Sequence, residues 1–248
     1  MASTMTLNFG KTVIPLMRVQ ALNTGYGDRE VLNNVSIELR TGETVAIIGH
    51  NGAGKSTLLK TIFGLIPIWS GHVEVDGGVI LNVTPIQMLK RGICYLPQGN
   101  RIYGSLSVRE NLLMGGITLS TRVEVSLGIE RVMEMFPALK PLFKQQAGTL
   151  SGGEQQMLSL ACTFMLNPRI LLLDEPSLGL FSKYVFKILN TIKMITREAG
   201  VSVLIVEQKV REVLHIADRV YVMRLGQVSF TGLASELMNL AKLKDVYL

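Results

Sequence analysis

Gly49-His50-Asn51-Gly52-Ala53-Gly54-Lys55-Ser56 fits the pattern G-x-x-x-x-G-K-[ST]. Glycines at those positions let backbone N–H groups wrap phosphate oxygens, and a helix starting there adds positive potential. Lys55 is expected to reach the β- and γ-phosphates of a nucleotide, and Ser56 to ligate Mg²⁺. A chance glycine-rich turn is the plain alternative, and the buried strand before it and the helix after it weigh against that. His50 fills a variable slot and reads as exposed, without a role. Farther on, ILLLD (170–174) brings Asp174 to the end of a buried strand, from which it can orient Mg²⁺ through water. Glu175 follows. Adjacent side chains on an extended chain point in different directions, so one carboxylate can serve the metal while Glu175 faces an attacking water as general base. Alone, Glu175 would read as a solvated loop acid; beside a phosphate loop it reads as the base. Leu150-Ser151-Gly152-Gly153-Glu154-Gln155 opens a further helix with a serine cap and two glycines. In isolation that is an ordinary cap. Here it is a second device whose exposed N–H groups can meet phosphate.

These residues need elements to hold them. TVAIIG (44–49), ILLLD (170–174) and VSVLIVE (201–207) are short unbroken apolar runs, the mark of strands buried on both faces. Strands are also expected at 17–22 and 35–39, with GYGDRE as the turn between them, and at HVEVDG. A helix from about Lys55 to Phe63 stops at Gly64. The pattern turns helical from about Gln98 to Thr149, with RVEVSLGIERVMEMF (122–136) its longest piece. A helix from Ser151 to about Leu166, ended by Asn167-Pro168, completes an inserted helical lobe over about 98–165. Residues 183–198 put Val185, Ile188, Leu189, Ile192 and Ile195 on one helical face. A short helix, a hairpin (RVYVMRLGQVSF) and a C-terminal helix finish the chain. Residues 1–15 read as a loose arm, and 16–248 as a single domain. Strands alternating with helices imply an α/β fold with a mostly parallel sheet covered on both faces.

Composition bounds the rest. The chain has 248 residues, 48% of them hydrophobic, which suits one large packed α/β unit and argues against disorder. Its formal charge of +6 is compatible with a solvated surface or with attraction to nucleotide, nucleic acid or anionic lipid, and does not choose among them. Cys94 and Cys162 sit in apolar runs and are expected to be buried free thiols, as in a reducing compartment. The start lacks the charged and apolar regions of a signal peptide. No apolar run approaches a membrane span, so a membrane role is expected to come through a partner.

The order of these motifs resembles the ABC ATPase family over residues 17–240. The resemblance implies a P-loop NTPase core, an N-terminal antiparallel β subdomain and the inserted helical subdomain. It implies that ATP and Mg²⁺ are bound by Gly49, Asn51, Gly52, Ala53, Gly54, Lys55, Ser56 and Thr57, with Ser56, Gln98 and Asp174 around the metal. Tyr26 matches the aromatic that stacks on adenine; a packing aromatic at a strand end is the alternative. Gln98, in LPQG, matches the glutamine that contacts Mg²⁺ and the attacking water and senses the membrane partner. Ser151, Gly152, Gly153 and Glu154 would meet the γ-phosphate held by an opposite subunit, so a lone monomer should hydrolyse poorly. Ser177-Leu178-Gly179-Leu180 matches the loop after the glutamate. Two positions depart from the usual pattern. Phe181 stands where the loop usually carries Asp, and Gln208 where a His usually follows the third strand. Gln208 can donate to the γ-phosphate but cannot carry a proton.

ENLLMGG, SGGEQQML, NPRILLLDEPSLGL and VEQ look like the ATPase subunits of branched-chain amino-acid importers, with urea or short-amide importers close behind. That similarity implies transmembrane permease subunits, a second ABC ATPase subunit and, indirectly, a periplasmic solute-binding protein. It implies a peripheral position on the cytoplasmic face of the inner membrane. A soluble ABC ATPase acting on DNA would need a long coiled coil or zinc-binding cysteines, and the stretch from Gln98 to Ser151 carries neither; no nucleic-acid partner is expected. A fused translation factor would carry two such domains. A regulatory subunit that binds ATP with little hydrolysis is disfavoured by Lys55, Ser56 and Glu175 together.

Overall fold

The computed structural model describes residues 15–80, 83–99 and 101–238. The expected arm falls largely outside them. Its last residue, Pro15, is buried and therefore packed rather than loose.

β1 (Met17–Tyr26) and β2 (Arg29–Leu39) pair antiparallel. The turn between them is Gly27-Asp28 alone, shorter than the six-residue turn expected. Irregular register between Val19 and Leu22, and again to Gly25, breaks the two-residue alternation that would have marked the strand's full length. Gly25 sits so close to the Arg29 carbonyl that an added Cβ would lie 1.9 Å from its oxygen. β3 (Thr44–Ile48) leads into the phosphate loop and α1 (Lys55–Ile62), which stops before Gly64 as expected. β4 (Ser70–Val75) pairs with β1, and β5 (Gly78–Ile80) with β4, giving a four-stranded antiparallel sheet.

β5 escaped the sequence pattern, and so did α2 (Pro85–Lys90) and β6 (Ile93–Leu96). All three are too short to display a period. After β6 come α3 (Val108–Gly115), α4 (Arg122–Met135), two short 3₁₀ turns (Pro137–Leu142 and Ala147–Thr149) and α5 (Gly152–Phe164). Each of the three α-helices opens with a reciprocal capping box: Ser107 with Glu110, Thr121 with Glu124, Ser151 with Glu154. Phe136 and Phe164 pack with ring centroids 5.8 Å apart. The chain closes with β7 (Ile170–Asp174), α6 (Ser182–Ala199), β8 (Ser202–Val206), α7 (Val210–Leu214), β9 (Arg219–Arg224), β10 (Gln227–Leu233) and α8 (Ala234–Leu237).

The main sheet has the order β10-β9-β3-β8-β7-β6, parallel throughout except at the β9–β10 hairpin. Its strands distribute alternate residues to two cores. Ala46, Ile48, Leu171, Leu173, Val203 and Ile205 face the helices α3 to α7. Val45, Ile47, Ile170, Leu172, Leu204 and Val206 face α1 and the antiparallel sheet. All five predicted apolar residues of α6 are buried on the first side. Cys94 is buried as expected, but Cys162 is only half-buried; its thiol donates to the Asn111 carbonyl at 3.3 Å. Burial pushes both thiols up to about 12, which keeps them protonated and unreactive at neutral pH.

The β9–β10 turn ties the two sheets to the phosphate loop. Gly226 N–H donates to Ala53 O at 3.1 Å, and Asn33 N–H donates to Gly226 O at 2.9 Å. Gly226 adopts φ +78°, and an added Cβ would meet the Val31 carbonyl oxygen at 2.1 Å. Gly226→Ala is therefore expected to lower stability by more than about 1 kcal/mol and to weaken nucleotide binding with it. Denaturant unfolding and a nucleotide titration on the same preparation check both effects; an unaltered midpoint would show that the turn is not under this constraint.

Candidate nucleotide site

A cleft of about 540 Å³ opens over the loop between β3 and α1, lined by Tyr26, Arg29, Val31, Asn51, Gly52, Gly54, Lys55, Ser56, Thr57, Gln98, Glu175 and Gln208. Tyr26, half exposed at the end of β1, stands at this cleft as the stacking role requires. Arg29 and Val31 were not foreseen. They belong to β2 and reach the cleft only because the hairpin folds back beside the loop, which no local motif announces.

Lys55 is buried, and its ammonium donates to the carbonyls of Gly49 at 2.7 Å and His50 at 3.0 Å. Burial pushes its pKa down, while the carboxylates of Glu175 and Asp174 oppose that shift. The lysine thus holds its own loop in shape and remains close to both acids. Residues of the glycine-rich loop and Lys55 line one cavity, a composition suited to a polyphosphate.

Asp174 and Glu175 are both buried, and their carboxylates diverge. The cause differs from the expected alternation of an extended strand. Glu175 adopts φ +49°, a left-handed conformation that costs a non-glycine residue on the order of 1 kcal/mol. Its N–H is anchored on Val206 O at 2.9 Å. Asp174 Oδ1 accepts from Ser56 Oγ at 2.7 Å, so the phosphate loop and β7 are joined where a cation would sit. Asp174 Oδ2 accepts from the Tyr95 hydroxyl at 3.1 Å, a contact that sequence reasoning missed. Burial first, and then the Asp174 charge, push the Tyr95 phenol upward, so it remains a donor.

Glu175 is held by two amides. Gln98 Nε2 donates to Oε2 at 3.0 Å, and Gln208 Nε2 donates to both oxygens at 2.8 and 2.9 Å. Gln208 was expected to reach toward phosphate; its amide instead lies on the carboxylate. Beside it, Glu207 is buried and accepts from the N–H groups of Ser177 at 2.9 Å and Gln208 at 3.2 Å. Burial pushes the Glu207 pKa up despite those donors.

The chemistry of the donors fits Mg²⁺. Ser56 and Asp174 offer hard oxygens at one point, and among the described residues no group of three or more His, Cys, Asp or Glu side chains forms a metal cage. Mg²⁺ favours such sparse sites, in which water and substrate phosphate complete the shell.

The segment 150–155 does not line this cleft. Ser151 caps α5, with its hydroxyl and N–H both donating to Glu154, at 2.7 and 2.8 Å. Those hydrogen bonds hold the Glu154 carboxyl below its usual range. Phe181, in the loop leading to α6, is 82% exposed and supplies no side-chain cap.

With this geometry established, comparisons with known proteins are informative. The family profile described as ABC transporter matches residues 32–178. The chain is similar to the high-affinity branched-chain amino acid transport ATP-binding protein BraG of Pseudomonas aeruginosa, at 39% identity over 94% of this chain and 99% of that protein. It is similar to the probable branched-chain amino acid transport ATP-binding protein LivF of Archaeoglobus fulgidus, at 38% identity over 93% of this chain and 98% of that protein. The structure of cbiO1 from Clostridium perfringens, described as part of the ABC transporter complex cbiONQ, superimposes with a TM-score of 0.84 at 26% identity over 92% of each chain. The phosphate loop joined to a strand-end carboxylate pair, on a fold shared with these proteins along nearly its whole length, makes this chain a member of the ABC transporter family and an ATP-hydrolysing subunit of it.

Proposed function

We propose that this chain powers an importer of branched-chain amino acids or a related small solute such as urea or a short amide. It would act from the cytoplasmic face of the membrane, bound to permease subunits and paired with a second ABC ATPase subunit; a periplasmic binding protein would deliver the solute. The solute class rests on the similarity to BraG and LivF. Among the described residues no helix is long and apolar enough to cross a membrane, which is compatible with a partner providing the path. Uptake of radiolabelled leucine and of urea, measured in vesicles carrying the assembled complex, tests that class; ATP-dependent uptake of neither would overturn it.

The observation that carries the enzymatic reading is the divided carboxylate pair: Asp174 bound to Ser56, Glu175 bound to Gln98 and Gln208. In this reading Tyr26 stacks on adenine. The loop from Gly49 to Thr57, with Asn51 and Ala53, surrounds the phosphates, and phosphate oxygens take over the Lys55 ammonium from the carbonyls of Gly49 and His50. Ser56 and Asp174, with Gln98 nearby, hold Mg²⁺, which when bound neutralises charge on the β- and γ-phosphates. Glu175 accepts a proton from the attacking water. Gln98 and Gln208 orient Glu175 and then the water. The N–H groups of Gly152 and Gly153 meet the γ-phosphate of ATP held by the opposite subunit, with Ser151 and Glu154 at the same contact.

Glu175→Gln keeps size and one acceptor oxygen but cannot take a proton. Turnover of the assembled complex is expected to fall at least about a hundredfold, with ATP affinity unchanged or tighter because a negative charge near the γ-phosphate is gone. Turnover within a few-fold of wild type would remove Glu175 from the role of base.

Ser151→Arg adds bulk and charge at an exposed helix start outside the subunit's own cleft. Binding of ATP to the single subunit is expected to persist, while ATP-driven pairing, followed by light scattering in a Glu175→Gln background, is lost. Pairing that survives the arginine would show that the segment does not lie at the contact.

A further inference from the structure

We propose that Tyr95 is a positioning residue: its hydroxyl fixes the orientation of the Asp174 carboxylate and thereby sets how much Mg²⁺ the nucleotide site requires. The inference rests on the reading of Asp174 as the metal-orienting acid given above.

The strand register makes the contact. β6 and β7 run parallel, with Tyr95 paired to Leu172. Asp174 lies two residues beyond Leu172 on the same strand, so Tyr95 and Asp174 project from the same face of the sheet. The Tyr95 ring lies against Phe63, the residue that closes α1, with centroids 5.5 Å apart. That packing fixes the ring, and the hydroxyl then meets Asp174 Oδ2 at 3.1 Å. The other carboxylate oxygen takes the Ser56 hydroxyl at 2.7 Å. Donors from two different elements thus hold the two oxygens of one buried carboxylate, which leaves its plane no free rotation. A phenylalanine would fill the same space against Phe63. Only the hydroxyl is specific to Asp174.

The consequence concerns the cation rather than the nucleotide. The Tyr95 hydroxyl is bonded to Asp174, so it acts through that carboxylate. Without the phenol, Asp174 keeps one anchor, Ser56, which is itself a proposed metal-site residue. The carboxylate can then turn about its Cβ–Cγ bond, and one buried acceptor loses its partner. Outer-shell partners of this kind typically change metal affinity by about 10–100-fold. Because Asp174 is expected to act through water, the lower end of that range applies.

The test uses the full chain and the non-hydrolysable analogue AMP-PNP, titrated by calorimetry in EDTA and at graded Mg²⁺. For Tyr95→Phe, affinity in EDTA should stay within about twofold of wild type, while the Mg²⁺ concentration giving half of the metal-dependent tightening rises roughly tenfold. Asp174→Ala should raise that midpoint too, and adding Tyr95→Phe to it should change nothing further, because the hydroxyl then has nothing to orient. A Tyr95→Phe midpoint equal to wild type, with the Asp174→Ala midpoint raised, overturns the inference and leaves the site reading intact. An Asp174→Ala midpoint equal to wild type overturns the site reading itself. If Tyr95→Phe weakens binding in EDTA, Tyr95→Met, which keeps bulk against Phe63, must show the Mg²⁺-selective effect; general loss in both makes the residue structural and ends the proposal.

Discussion

Two buried carboxylates at consecutive positions are the constraint around which this site is organised. Asp174 and Glu175 have almost no access to water, and buried carboxylates need hydrogen-bond donors. The fold supplies them. A serine from α1 and a phenol from β6 hold Asp174; two amides hold Glu175; the Lys55 ammonium is near enough to feel both. The left-handed backbone at Glu175 turns its side chain away from its neighbour's and out toward the cleft. The donors come from three separate segments: the start of α1, β6 with the loop after it, and the end of β8.

The sheet does this by its order. β3 is flanked by β8 and β9, and β7 by β8 and β6, so the phosphate loop, the carboxylates and the ends of β6 and β8 gather at one edge. Parallel strands present their carboxyl ends together, and ligands of open α/β sheets bind there. One segment, β6 with the loop after it, touches both acids: Tyr95 reaches Asp174 and Gln98 reaches Glu175. The end of β8 is equally economical. Glu207 draws in the backbone at Ser177 and Gln208, and Gln208 lays its amide on Glu175.

The legible part of this was what local chemistry dictates. A phosphate loop needs glycines and a lysine in a set order, and a buried strand needs an unbroken apolar run; Gly49–Ser56, TVAII and ILLLD met those demands openly. The apolar face of α6 was visible for the same reason. What stayed hidden depends on partners remote in sequence. Tyr95 bonds a residue 79 positions away, and nothing in ICYL distinguishes a phenol that positions a carboxylate from one that merely packs. Gln208 can donate to phosphate or to carboxylate, and only the turn at Glu175 decides. β1 was underestimated because its irregular register erased the alternation, and β6 because four residues carry no period. Tyr26, found by resemblance, occupies the cleft; Arg29 and Val31, three and five residues on, came with it only through the hairpin.

The same hydrogen bonds bear on how the proposed hydrolysis would be controlled. Both amides that could orient water are engaged with the proposed base, and Gln208 occupies both oxygens of Glu175. The α5 N-terminus, proposed as the second phosphate-binding device, does not line the cleft, and its Ser151 is bonded to Glu154. In the proposed reading hydrolysis would involve two changes: Glu175 would exchange an amide for water near the loop that carries Gln98, and a helix N-terminus would come from another subunit. Gln208 differs from an imidazole in one respect that matters here. Its amide holds both oxygens of Glu175 but cannot lose or gain a proton near neutrality, so in the proposed reading any control it exerts is one of geometry and not of pH.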